Sequence, residues 1–319
     1  MEFSVQADHV HLIGAHGPAR PGGPISWPPE TSPTRGRAQH QSHIIVFRNT
    51  GLATGLGTRY QACFLGVVGS VQHMFESSRW YSSRLQCDVT LNRWGHAGQP
   101  VLMFPTAAGD AGEIDRFLMI RVLEPLLAAG RIKMYSCDSV AGRVWFNKEG
   151  SPEHRMYMTH QFHQYIKNEV VPAIRTDCKQ DDIGIWATGA SIGAFHAVAV
   201  TCRFPDMFHR ALGMSGTYDL MRFIERNEPT DYFHVSSPIH FVPHLAGRHL
   251  DVLRTRHIHL ACGEGKWEDI SESFRLAKTL GNMGIPNWVD SWGKDWDHDW
   301  VTWRAKLPKY LDEWTAPKS

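Results

Sequence analysis

The stretch Gly189-Ala190-Ser191-Ile192-Gly193 constrains this chain more than any other feature. An apolar run, Ile183 to Thr188, precedes it, and an Ala-rich segment with helical character, Ile192 to Phe204, follows. The backbone must pass from strand to helix within a residue or two. Small residues on both sides of Ser191 allow so tight a turn to close. A serine there is presented at a helix N-terminus, whose dipole favours a developing negative charge.

The rest of the chain, from about Arg79, repeats the strand-then-helix rhythm. Strands are expected at Cys87–Trp94, Pro100–Phe104, Ile132–Cys137, Ala211–Ser215, His257–Cys262 and Asn287–Trp292. Helices are expected at Glu113–Ala129, Pro152–Thr176, Glu268–Leu280 and Trp300–Trp314. Such alternation predicts an α/β fold with a mostly parallel central sheet covered by helices on both faces. The first strand, Cys87–Trp94, alternates polar and apolar residues and reads as antiparallel. Residues 219–250 break the rhythm with His, Pro and Phe, and read as a cap-like insertion over the carboxyl edge of the sheet.

Residues 1–75 differ in kind. Pro18, Pro21, Pro24, Pro28, Pro29 and Pro33 are interspersed with Gly and Arg. Such a composition buries too little surface to offset chain entropy, which predicts a disordered or weakly ordered leader. The catalytic domain is expected over residues 76–319. The Gly-rich stretch from Gly51 to Ser70 is interrupted by Arg59 and too short to span a bilayer.

A formal net charge of +1 gives no global field for nucleic acid. No apolar run has the length of a membrane span, so no stable membrane insertion is expected. The Met1 end lacks the basic-then-apolar order of a secretory signal, and a cytoplasmic location is expected. Cys63, Cys87, Cys137, Cys178, Cys202 and Cys262 are scattered without a C-x-x-C pair, which predicts reduced thiols. Despite 19 His there is no H-E-x-x-H, and Asp295, Asp297 and Asp299 lack the glycine and distal Glu of a calcium loop. Neither a metal nor an organic cofactor is expected.

A serine nucleophile needs a base and an acid, which follow it in the order Ser, acid, His in a fold of this kind. His298 lies just after the last strand, ahead of Trp300, Trp303 and Leu307 at helical spacing, and is the candidate base. The acid should follow the strand His257–Cys262. Glu268, at the start of the next helix, is the choice there, with Glu264, Asp269 and Asp219 as alternatives. The two backbone donors of an oxyanion hole are expected at Ile192 and at Thr106 or Ala107. Tyr232 and Phe233 of the insertion, and Trp267 beside the acid, are candidate substrate-binding rings, the other reading being that they form a small core.

At these residues the chain resembles the putative-esterase family of α/β hydrolases, which includes esterase D (S-formylglutathione hydrolase), feruloyl esterases and mycolyltransferases. The resemblance spans about residues 79–314. It rests on Phe104-Pro105-Thr106, Glu169-Val170-Val171-Pro172, the segment Gly189 to Ala194, Ser215-Gly216-Thr217-Tyr218-Asp219 and His298-Asp299-Trp300. It implies the α/β-hydrolase fold and a serine carboxylesterase acting on a small-molecule or polymeric ester through an acyl-enzyme. It also implies an acid after the penultimate strand, without choosing among the neighbours there. Acyl transfer to an alcohol, or an inactive binding protein on the same scaffold, are the alternative readings, and a homo-oligomer is left open.

Overall fold

The computed structural model describes residues 75–224 and 231–317. The chain runs through β1 (Phe75–Ser82), β2 (Cys87–Trp94), β3 (Gln99–Phe104), α1 (Glu113–Arg116), α2 (Met119–Ala128), β4 (Ile132–Cys137) and α3 (Val140–Phe146). It continues with α4 (Pro152–Tyr165), α5 (Val171–Cys178), β5 (Ile185–Ala190), α6 (Ile192–Arg203) and β6 (Phe208–Met214). Then come α7 (Asp231–Ser236), α8 (Pro238–Phe241), α9 (Gly247–Leu253), β7 (His257–Cys262), α10 (Ile270–Asn282), β8 (Asn287–Ser291) and α11 (Trp300–Thr315). The expected leader falls outside the described residues, apart from Phe75.

The eight strands form one sheet in the order β1-β2-β4-β3-β5-β6-β7-β8. β2 pairs antiparallel with both β1 and β4, and every other pairing is parallel. This is the mostly parallel sheet that the strand–helix rhythm predicts, in the α/β-hydrolase arrangement that the resemblance implies. Parallel strands place the carboxyl ends of β5, β7 and β8 on one edge of the sheet, where ligand-binding loops gather in such folds.

Successive residues of β3 face opposite layers. Val101 and Met103 pack with Leu123 and Leu127 of α2 and with Trp303, Leu307 and Leu311 of α11. Leu102 and Phe104 pack with Phe162, Tyr165 and Ile174 of α4 and α5 and with Ala197 and Val200 of α6. A third cluster joins α6, α9 and α10 over β6 and β7 through Val198, Leu250, Leu260 and Leu276. Each fully buried Leu or Phe contributes roughly 1.5–3 kcal/mol. These two apolar faces fix the sheet, and with it the position of the loops at its edge.

Three local differences from the sequence reading have physical causes. The expected helix Glu113–Ala129 is split, because Leu118 takes a left-handed conformation (φ 62°) between α1 and α2. There Phe117 stacks on Trp300 at 4.8 Å, and its carbonyl accepts a hydrogen bond from Arg304. Contacts to α11 hold the break. The expected helix Pro152–Thr176 is continuous but widens into a π-turn at Ile166–Val170. Pro172 has no N–H for an i−4 carbonyl, and the wider turn ahead of it accommodates the missing bond. The edge strand β1 and the helix α3 had no clear signal. β1 buries only Ser78 and Ser82, so its sequence carries no apolar alternation.

Candidate active site

Ser191 is the single residue between β5 and α6, and it sits at φ 56°, ψ −123°. A non-glycine residue there costs on the order of 1–3 kcal/mol and persists only when its surroundings enforce it. The enforcement is visible on both sides. The Ser191 N–H donates to the Met214 carbonyl at the end of β6 (3.0 Å), and the Ser191 carbonyl accepts from Ala194 (3.1 Å). A Cβ on Gly189 would lie 2.4 Å from the Gly193 carbonyl, and a Cβ on Gly193 would lie 2.4 Å from the Phe104 carbonyl oxygen. The flanking glycines are therefore dictated by close backbone approach.

The acid and base candidates come from the loops after β7 and β8, and those loops interlock. Gly265 N–H donates to the Trp296 carbonyl, Lys266 N–H to the Asp297 carboxylate (2.6 Å), and His298 N–H to the Lys266 carbonyl. His298 Nδ1 lies 3.4 Å from Glu268 Oε2, and the imidazole stands edge-on to Trp303 at 5.3 Å. The His298 side chain is 23% exposed, while that of Glu268 is 1% exposed.

Glu268 is buried, which by itself raises a carboxyl pKa, yet its pKa is lowered to about 2. The opposing causes are its contacts to His298, to Ser215 Oγ (2.5 Å) and to Lys306 Nζ (3.4 Å). The Gly263 N–H adds another donor at 3.1 Å. The carboxylate is therefore ionised at neutral pH and aimed at the imidazole.

The other acid candidates are engaged elsewhere. Asp269 caps α10 through the Ser271 N–H and pairs with Arg222. Asp219 caps the turn Leu220–Phe223 and pairs with Arg275. Glu264 accepts from Ser291. Asp299, which follows His298 and is not one of those candidates, caps α11 through the Thr302 N–H. Among the described residues no group of three or more His, Cys, Asp or Glu side chains is placed to hold a metal ion.

One oxyanion candidate is corrected by the geometry. The Thr106 N–H already donates to Glu113 Oε2 at 2.8 Å, and its hydroxyl donates to Glu113 Oε1 at 2.5 Å. A donor committed to a buried carboxylate is not free for substrate. Ala107 is the remaining candidate on that turn. It packs against the same apolar cluster as Ile192, which begins α6 directly after Ser191.

The sequence profile described as "Putative esterase" matches residues 135–313 of the 319. The chain belongs to this esterase family. Solved structures with similar folds include a ferulic acid esterase (TM-score 0.58, 16% identity, 76% of this chain and 97% of that one). An S-formylglutathione hydrolase from Agrobacterium tumefaciens superposes with TM-score 0.57 at 12% identity, over 76% of this chain and 94% of that one. Mycobacterium tuberculosis MPT51 (FbpC1) superposes with TM-score 0.54 at 14% identity, over 73% and 95% of the two chains. At these identities the likeness is one of fold. No curated protein matches the chain in sequence.

In this member of the esterase family the described residues between β6 and β7 form short helices, α7 to α9, with the turns Leu220–Phe223 and Val242–His244. Phe233 is fully buried there, in one cluster with Trp145, Met156, Ile192, Phe195 and Leu220, which favours the core reading of that ring over the substrate-binding one. Its edge-on contact with Trp145 joins α7 to α3. Tyr232 is half-buried against Tyr157 and His160. Trp267 is 45% exposed on the loop that carries Glu268, at φ 68°.

Ser215, Lys306 and Glu113 have no site role in the sequence reading, where Ser215 enters only as a strand end and through the resemblance. For Lys306 a signal existed. Trp303, Lys306, Leu307, Tyr310 and Leu311 recur at helical spacing, and all are buried, so a lysine stands on the apolar face of α11.

Proposed function

We propose that this chain is a serine carboxylesterase in which Ser191 is the nucleophile, His298 the general base and Glu268 the acid. The observation that carries the reading is the strained Ser191 elbow on the same sheet edge as the His298–Glu268 pair. A chain of hydrogen bonds supports their proximity. The Ser191 N–H bonds the Met214 carbonyl, and the next residue, Ser215, bonds Glu268.

In the first step the Ser191 hydroxyl oxygen attacks the ester carbonyl while His298 takes its proton. The tetrahedral oxyanion is held by the N–H groups of Ile192, at the start of α6, and of Ala107, on the turn after β3. Collapse expels the alcohol, which receives the proton from His298, and leaves Ser191 acylated. Water then attacks the acyl carbonyl, giving its proton to His298, and the second collapse releases the carboxylic acid and restores the serine. Glu268 holds the imidazolium at both stages. The scheme draws on side chains, backbone N–H groups and water.

Trp267 and Tyr232 favour an apolar or aromatic group on the substrate, since a half-exposed ring recovers burial when such a group covers it. The deciding experiment is labelling with a serine-reactive phosphonate, alongside turnover of aryl esters. Wild type should be labelled at Ser191 and should hydrolyse the esters, and Ser191→Ala should do neither while keeping its fold. Labelling at another serine, or undiminished turnover in Ser191→Ala, overturns the assignment.

A further inference from the structure

Glu268 has more partners than the orientation of an imidazole requires. Lys306, on α11, is fully buried, and its ammonium reaches both Glu268 Oε1 and Ser215 Oγ at 3.4 Å. Ser215 bridges the two. Its hydroxyl donates to Glu268 at 2.5 Å and accepts from Trp303 Nε1 at 3.0 Å, and Trp303 is the ring that stands against His298. Ser215 holds a left-handed backbone (φ 50°), with its N–H fixed on the Ala261 carbonyl. A buried ammonium and a strained serine thus converge on one carboxylate oxygen, Oε1. The other oxygen, Oε2, faces His298.

We infer that Lys306 and Ser215 are positioning residues for the candidate acid: they fix Glu268 Oε1 and share its charge, so that Oε2 is held toward His298 while the carboxylate's pull on the imidazole proton is moderated. This rests on the serine-esterase reading. The charge argument is direct. With Lys306 paired, the resting cluster of Glu268, Lys306 and neutral His298 has no net charge, and protonating His298 leaves it at +1. Without Lys306 the resting cluster is −1, and protonating His298 neutralises it. An unshared buried carboxylate beside a histidine draws a proton onto it. Lys306 opposes that, while leaving Glu268 charged enough to orient the ring.

The other charged or titratable groups facing the pair do not take over this role. Cys262 on β7 lies 3.4 Å from Glu268 Oε2, and burial pushes its thiol up to about 12, so it is neutral. Asp290 on β8 is hydrogen-bonded by Tyr310 and is of the wrong sign. Asp269, next to Glu268, is engaged by Ser271 and Arg222. The Trp292 ring lies 5.8 Å from the ammonium and closes that side.

The test is the pH dependence of kcat/KM for an aryl ester in the full chain, comparing wild type with Lys306→Gln and Lys306→Met. Activity falls on the acid side as the base becomes protonated. That limb should move up by roughly one pH unit in both variants. Lys306→Gln keeps a donor to Glu268 and Ser215, so its plateau kcat should stay closer to wild type than that of Lys306→Met. Ser215→Ala removes only a hydroxyl. It should lower kcat about tenfold with KM little changed and raise the acid limb in the same direction. It carries the comparison if neither Lys306 variant folds. Acid limbs that coincide with wild type, with only a lower Tm, would make Lys306 and Ser215 structural and overturn the inference. A wild type that neither hydrolyses esters nor takes the phosphonate at Ser191 removes the reading beneath it. Wild-type activity with unshifted variants removes this inference alone.

Discussion

The Thr106 backbone N–H lies 2.8 Å from a Glu113 carboxylate oxygen, so the turn after β3 is held by an acid seven residues further along the chain. Glu113 is buried, and burial raises its pKa against the pull of two hydrogen bonds from Thr106. The carboxyl also fills the space beside Gly109, where a Cβ would meet its Cδ at 2.5 Å. Glu113→Ala should release the turn and move the Ala107 N–H. We expect kcat to fall roughly 10- to 100-fold with KM changed little, because the oxyanion donor proposed at Ala107 would act chiefly in the transition state. Steady-state kinetics with an aryl ester check this, and a change confined to KM contradicts it.

Gly193→Ala should be among the most damaging single-methyl changes in the chain. The new Cβ would lie 2.4 Å from the Phe104 carbonyl oxygen and 2.7 Å from that of Pro105, both backbone atoms of the central sheet edge. Separating β3 from α6 by enough to admit it should cost about 2–4 kcal/mol. Urea unfolding monitored by Trp fluorescence measures the loss, and a midpoint unchanged from wild type would contradict the close approach.

The lowered pKa of Glu268 has a signed consequence for stability. Its folded value of about 2 lies below the ordinary value of 4.5, so the native state binds the proton less readily than the unfolded chain. The stabilisation is complete above about pH 4.5 and is lost as pH falls toward 2, and it is on the order of 3 kcal/mol. Urea unfolding at pH 7 and pH 3 should show a smaller loss on acidification in Glu268→Gln than in wild type. Equal losses in the two proteins would show that Glu268 contributes no such term.

Phe233 and Trp267 should behave as opposites. Phe233→Ala removes a fully buried ring from the insertion's core and should cost about 3–5 kcal/mol while scaling kcat/KM for all esters together. Trp267→Ala removes a half-exposed ring and should leave Tm nearly unchanged. It should alter the preference between aryl and short alkyl esters by roughly 1–3 kcal/mol. Melting curves with a small ester panel separate the two, and a selectivity change in Phe233→Ala would place that ring on the substrate after all.

Much of the frame could be read without coordinates. The expected bounds of β2, β4 and β7 are those observed, because alternation or an unbroken apolar run ended by glycine or a polar turn is a local signal. The Ser191 elbow was legible for a similar reason: a strand and a helix that meet across one residue leave few backbone solutions, and glycine on both sides is the chemical trace of that crowding. The helix split at Leu118 was not legible, since it is held by Trp300 and Arg304, more than 180 positions along the chain.

The sequence by itself determined the strand–helix order, the elbow and the order in which nucleophile, acid and base candidates occur. Tertiary structure alone decided which carboxylate meets His298, that the Thr106 N–H is spent on Glu113, and that Phe233 is core. It also placed an ammonium beside Glu268. Periodic patterns report which face of an element is buried, because neighbours in sequence share that element. A loop carboxylate is different. Glu268 remains charged in a buried position through His298, Ser215 and Lys306; Ser215 and Lys306 lie 53 residues before it and 38 after it, and only the folded sheet brings those groups within hydrogen-bond reach.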